Sequence, residues 1–286
     1  MITQTRHIDL TVPTGWNQCS TEQLEQISQI LLRRTAMQDR YHPYDPLQFK
    51  AECFFALAGL TVVGQQDDVA ESGEQTFIVR QGRGEPFTMA VWQVHSFVEQ
   101  HLKWLEDFTG LWLFPYQTFG HYWTLDRHLP FLHRRTLEGP APLLDGMSWR
   151  QYRFANDWLT AYTADENAEA RIGFLQALFD VIDLGHKPRR LCRMRPYQFQ
   201  LCLIWWQSMM KEMQQKYRRC FKTGKTGMPQ SQTPVDLYSR STATLQDKYH
   251  LTEDEINRQP CRVILQHLED MSREAEELEK LNRRHK

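Results

Sequence analysis

The chain has 286 residues, enough for one large domain or a domain with appendages, and 41% hydrophobic and 12% aromatic content excludes wholesale disorder. A net charge of −1, no apolar run of roughly 18 residues and no apolar core behind a basic N-terminus lead us to expect neither a membrane span nor a secretory leader. Six cysteines at long, irregular gaps, none in a C-x-x-C pair, argue against a zinc site and point to reduced, mostly buried thiols in a cytoplasmic protein.

In chain order, Arg6 to Val12 alternates and is rich in β-branched residues, which predicts a strand. Ser20 opens a capping box with Gln23, and Leu24, Ile27, Ile30 and Leu31 follow at helical spacing. Asp45-Pro46 caps and starts a second helix that ends at Gly59. Short β-rich runs between about 60 and 91 predict an antiparallel meander that also recruits the N-terminal strand. A helix is predicted from Val91 to Gly110. Residues 111 to 147 are aromatic but broken by proline and glycine, and read as an ordered irregular segment.

Ser148 caps the next helix, Asp165 begins another, and Tyr197 to about Phe221 forms a core helix, apolar almost all round in its first half. The stretch TGKTGMPQSQTP then has a linker's composition. Helices are predicted over Pro234 to Tyr249, over TEDEIN with Thr252 as cap, and from Pro260 to about Asn282. The expected fold is mainly α with a small antiparallel β element near the N-terminus (α+β). A domain over 1–223, with its meander at about 5–12 and 60–91, leads through a linker at 224–234 to a helical C-terminal appendage over 235–286.

No motif here demands catalysis. Gly224-Lys225-Thr226 could close a phosphate loop, but Arg219 stands where its first glycine belongs, and a helix precedes it instead of a strand. His95 and Glu99 share a helical face while His101 lies about 120° away, so the H-E-x-x-H geometry is not met. His121, His128 and His133, with Asp126 among them, could form a metal or acid–base site, but their spacing imposes no common face. We expect no enzyme, no cofactor and no metal.

Two features point to partners. From Lys187 to Lys225 there are eleven positive residues against one acid, Glu212. Lys187, Arg189, Arg190, Arg193, Arg195, Arg218, Arg219 and Lys222 are candidates for contact with a phosphate backbone; a solvated or protein-facing basic surface is the alternative, and Arg218, Arg219 and Lys222 also suit a helix C-terminus. In the last helix Ile264, Leu268, Met271, Ala275 and Leu278 recur in steps of 4 and 3 over about two heptads. Such a seam must be covered by its own domain, a second copy or a partner. Ile264, Leu268, Met271 and Leu278 are the candidate partner-binding residues.

The segments RHIDLTVPTGWNQCSTEQLEQI, FKAECFFALAGL, WRQYRFANDWLTAYTADENAEARIGFLQALF, LIWWQSMMKEMQQKYRRCF and HLTEDEINRQPCRVILQHLEDM together resemble proteins encoded in tailed-phage and prophage tail-gene clusters. The broad plan is similar to that of tail assembly chaperones, in which a helical domain carries a C-terminal segment that engages the tape-measure protein. The resemblance implies a non-enzymatic protein of the host cytoplasm during assembly. It implies contact with a tail protein such as a tape-measure protein, or self-association, and no membrane. The basic run keeps a nucleic-acid-binding accessory protein as the other expectation.

Overall fold

The computed structural model describes residues 10–38, 44–68, 74–125, 132–184, 186–221 and 234–284. It is an α+β chain, mainly helical, with a three-stranded antiparallel sheet near the N-terminus and helices at the C-terminus. The chain forms two compact units. The first takes residues up to Leu111 together with Arg195–Ser208; the second takes Trp112–Met194 and Met209–Lys286.

In the first unit, helices α1 (Thr21–Ala36), α2 (Pro46–Leu57) and α3 (Val91–His101) pack with the sheet. Ser20 starts α1 as its sequence requires: its hydroxyl accepts the Gln23 N–H, and the Gln23 side chain accepts the Ser20 N–H. Asp45 Oδ1 likewise accepts the Leu47 and Gln48 N–H groups ahead of α2. That helix buries Phe49, Cys53, Phe54 and Leu57. Strands β1 (Leu60–Asp68), β2 (Glu74–Gln81) and β3 (Phe87–Ala90) run in the order β1-β2-β3. Trp16 anchors the entry to this unit: its indole N–H is shared between the carbonyls of Trp104 (3.1 Å) and Asp107 (3.0 Å), and its ring meets Trp104 edge-on. The predicted N-terminal strand falls largely outside the described residues, and residues 10–12 are not in a strand.

Helix α7 (Pro196–Lys216) gives its first part to this unit. Ser28, fully buried on α1, donates to the Tyr197 carbonyl at 2.7 Å, and the Ser208 hydroxyl accepts the Leu111 N–H. Both bonds satisfy polar groups that burial would otherwise penalise.

The second unit differs from the sequence reading in three respects. The aromatic segment is not irregular throughout: it holds a hairpin of β4 (Thr118–Leu125) and β5 (Leu132–Glu138). Its base is fixed by Phe119 and the fully buried Leu137. There Phe119 and Gly120 together oppose one residue, Leu137, as a bulge, and Gly120 takes φ +117°. Prolines and glycines flank the strands or supply the bulge, which is why they read as breaks. Gly139 is needed for a different reason: a Cβ there would lie 2.1 Å from the buried Phe114 ring and 2.6 Å from the Tyr116 carbonyl oxygen.

The second difference concerns the C-terminal helices, α8 (Pro234–Tyr249), α9 (Glu253–Arg258) and α10 (Cys261–Arg284). They are not a separate appendage. All three pack on α4 (Trp149–Asp165), beside α5 (Ala168–Leu178) and the short α6 (Arg189–Cys192). A backbone bridge joins Ser148 to Pro260, with Trp149 N–H donating to Gln259 and Cys261 N–H to Met147. The linker at 224–234 lies outside the described residues up to 233, and Pro234 already opens α8. Helix α4 continues through Asp165 to a left-handed Glu166, so Asn167, not Asp165, caps α5.

Substituting Gly139→Ala should overpack the Phe114 site and cost roughly 1–3 kcal/mol. Thermal unfolding should show a lowered midpoint; an unchanged midpoint would mean the approach of Gly139 to Phe114 is not tight.

Candidate functional site

Helix α10 begins as a core element and ends as an exposed one among the described residues. Ile264 and Leu265 are buried, Leu268 and Met271 are half-buried, and Leu278 and Leu281 are 62% and 50% exposed. The seam read from the sequence is therefore divided. Ile264 is not available to a partner, because α4 and its neighbours already cover the first turns; Leu278 is exposed among the described residues.

Among the described residues, electrostatic ties to other elements continue along α10 as far as Glu276. Glu269, largely buried, accepts the backbone N–H of Arg219 (2.8 Å) and of Cys220 (3.0 Å), and pairs with the Arg219 guanidinium at 3.1 Å. Arg219 also reaches Glu276 at 3.2 Å, Lys248 meets Glu274 at 2.6 Å, and Tyr249 stacks on His267. Burial works to raise the Glu269 carboxyl, but the Cys220 and Arg219 donors outweigh it and hold the group below its ordinary value. Beyond Glu276 the last described turns present Leu278 and Leu281 one turn apart, among Glu277, Glu279 and Lys280. Arg283 pairs only along its own helix, with Glu279, among the described residues.

The basic run is divided between the two units, and several of its members are already engaged. Arg195 belongs to the first unit and the other described members to the second. Lys187 pairs with Glu169 at 3.4 Å, Arg218 Nε donates to the Gln215 carbonyl, and Arg219 is committed beneath α10. Arg190 lies over the Phe119 ring and donates to the Phe119 carbonyl, so it locks α6 to β4. Arg189 and Arg193 are exposed, with no carboxylate partner among the described residues. Lys222, like Gly224-Lys225-Thr226, lies outside the described residues.

The histidine candidates are also separated. The hairpin register pairs His121 with Thr136 and His133 with Thr124, which places the two histidines on opposite faces. His128 lies outside the described residues. On α3, His101 packs against Phe97, while His95 lines a cleft of about 770 Å³ in the first unit. The cleft has an apolar floor that includes Phe55, Leu60 and Phe77, and Arg33 and Arg34 on its wall are both tied to Glu52. Its cations are thus already engaged. Among the described residues no three metal-ligating side chains come together, and no helix is long and apolar enough to cross a membrane.

All six cysteines are free thiols, Cys192 exposed and Cys53, Cys202 and Cys261 buried. Burial pushes the Cys261 thiol up to about 12, as expected of a packing residue. No known protein family, curated protein or solved structure matches the chain.

The lowered Glu269 carboxyl sets an acid limb on stability. Its contribution is full above the ordinary value of 4.5 and is lost as pH falls below it, because the unfolded chain takes up the proton first. Glu269→Gln keeps an acceptor but not the titration. Urea unfolding at stepped pH should therefore show a shallower acid loss in the variant; identical limbs would mean that Glu269 is not the titrating anchor.

Proposed function

We propose that this is a non-enzymatic assembly protein of the phage tail pathway, chaperone-like, acting in the host cytoplasm through protein contact. The observation that carries the contact reading is the end of α10, where Leu278 and Leu281 stand exposed beyond Glu276, the last residue tied to another element among the described residues. A helix end with two leucines one turn apart and charges beside them suits insertion into an apolar groove or pairing with another helix. The tail assignment rests on the sequence segments quoted above, and a tape-measure protein is the proposed partner.

The integration of α8–α10 with α4 decides how to test this. Removing the whole C-terminal segment would strip the cover from α4, so loss of binding would say nothing about contact. Leu278→Asp with Leu281→Asp acts on exposed positions and should change stability by no more than about 0.5 kcal/mol. Each leucine buried against a partner contributes roughly 1.5–3 kcal/mol. Calorimetric titration against a phage tape-measure protein should show at least a tenfold weaker complex for the double variant. Undiminished affinity would remove the α10 end as the contact site.

A further inference from the structure

The β4–β5 ribbon carries an exposed group of aromatic and basic side chains that its own folding does not use. Phe119 and Leu137 anchor its base, whereas Trp123, halfway out, is 57% exposed. The register sets Trp123 directly opposite Arg134 on one face, with His121 two residues along, and Tyr122 opposite Arg135 on the other face, with His133 nearby. Arg134 and Arg135 are exposed, and neither has a carboxylate partner among the described residues. Helix α6 packs against β4 and brings Arg189 and Arg193 to the same unit's surface; Arg190 fixes that contact by lying over Gly120, whose absent Cβ would come within 3.4 Å of its Nε. In the described residues of the ribbon and α6 the acid is Glu138, at the end of β5.

We propose that the outer half of the β4–β5 ribbon, with α6 beside its base, binds single-stranded nucleic acid. The arginines match phosphates in charge and geometry. Trp123 offers a flat face on which a base stacks, with Arg134 across the strand pair to take the adjoining phosphate. An open indole face distinguishes single strands from duplex, because paired bases are already stacked on each other. The site is separate from the α10 end and does not depend on the protein-contact reading.

The test is fluorescence anisotropy with a labelled single-stranded thymidine oligomer and the full chain, over a range of salt concentrations. Engagement of Arg134, Arg135, Arg189 and Arg193 gives a slope of log affinity against log salt of about −3, at about 0.7 per phosphate contact. Trp123→Ala should weaken binding about tenfold at an unchanged slope, and Trp123→Phe should recover most of the loss. Arg134→Ala with Arg135→Ala should flatten the slope by about 1.4. These positions are exposed, so circular dichroism should be unchanged in each variant. The proposal is overturned by no binding at low salt, by tighter binding to a blunt duplex or to anionic phospholipid vesicles, or by affinity indifferent to both sets of substitutions. Leu278→Asp with Leu281→Asp should leave oligomer binding intact; its loss there would also overturn separateness of the two sites.

Discussion

The second unit depends on a short piece of backbone pairing. At the Ser148–Pro260 bridge, Met147 and Gln259 supply carbonyls to Cys261 and Trp149, so the start of α4 and the start of α10 satisfy each other's amide groups. Two helix N-termini that would otherwise need solvent or side-chain partners are thereby brought into the interior. Cys261, Ile264 and Leu265 follow directly into the core, and Trp149 and Tyr152 do the same from the other helix. The rest of α10 inherits its direction from that start. Its glutamates meet Arg219 and Lys248 in turn, and among the described residues the last of these ties is at Glu276.

Much of the helical layout was legible from local chemistry. Ser20, Asp45, Ser148 and Thr252 each cap the helix that their neighbours predict, because a cap is decided within four residues. The β1–β3 meander was legible for a similar reason, since alternation and turn residues are local. The β4–β5 hairpin was not. Its bulge at Gly120 interrupts alternation, and an exposed aromatic, Trp123, sits where a sequence reading assigns burial. The supposed appendage failed because a linker composition describes only the linker. Whether the segment beyond it packs on an earlier helix is a long-range fact, visible only once Pro260 is found beside Ser148.

Charge was the least legible property. Eleven positives in one stretch of sequence suggest one surface, yet their partners are scattered: Glu169 for Lys187, a backbone carbonyl for Arg190, two glutamates of α10 for Arg219. Conversely, Arg134 and Arg135 lie well outside that stretch and come into the same unit as α6 only through the hairpin fold. Sequence density of charge measures neither exposure nor freedom; pairing does. The seam of α10 carries the same lesson for apolar residues, since one heptad pattern spans both a buried Ile264 and an exposed Leu278.

The order in which the chain is made gives the bond between Ser28 and Tyr197, 169 residues apart, a further meaning. The first unit lacks its α7 strip until residues 195–208 leave the ribosome, and the second lacks its cover on α4 until Pro260 has emerged. Closing such distant contacts is slow relative to forming local helices. For much of synthesis, therefore, the faces of α1 and α4 that these later segments meet stand uncovered on a nascent chain, and neither unit can finish as an isolated N-terminal fragment. A truncation that looks harmless on a linear map would leave one of these faces permanently bare.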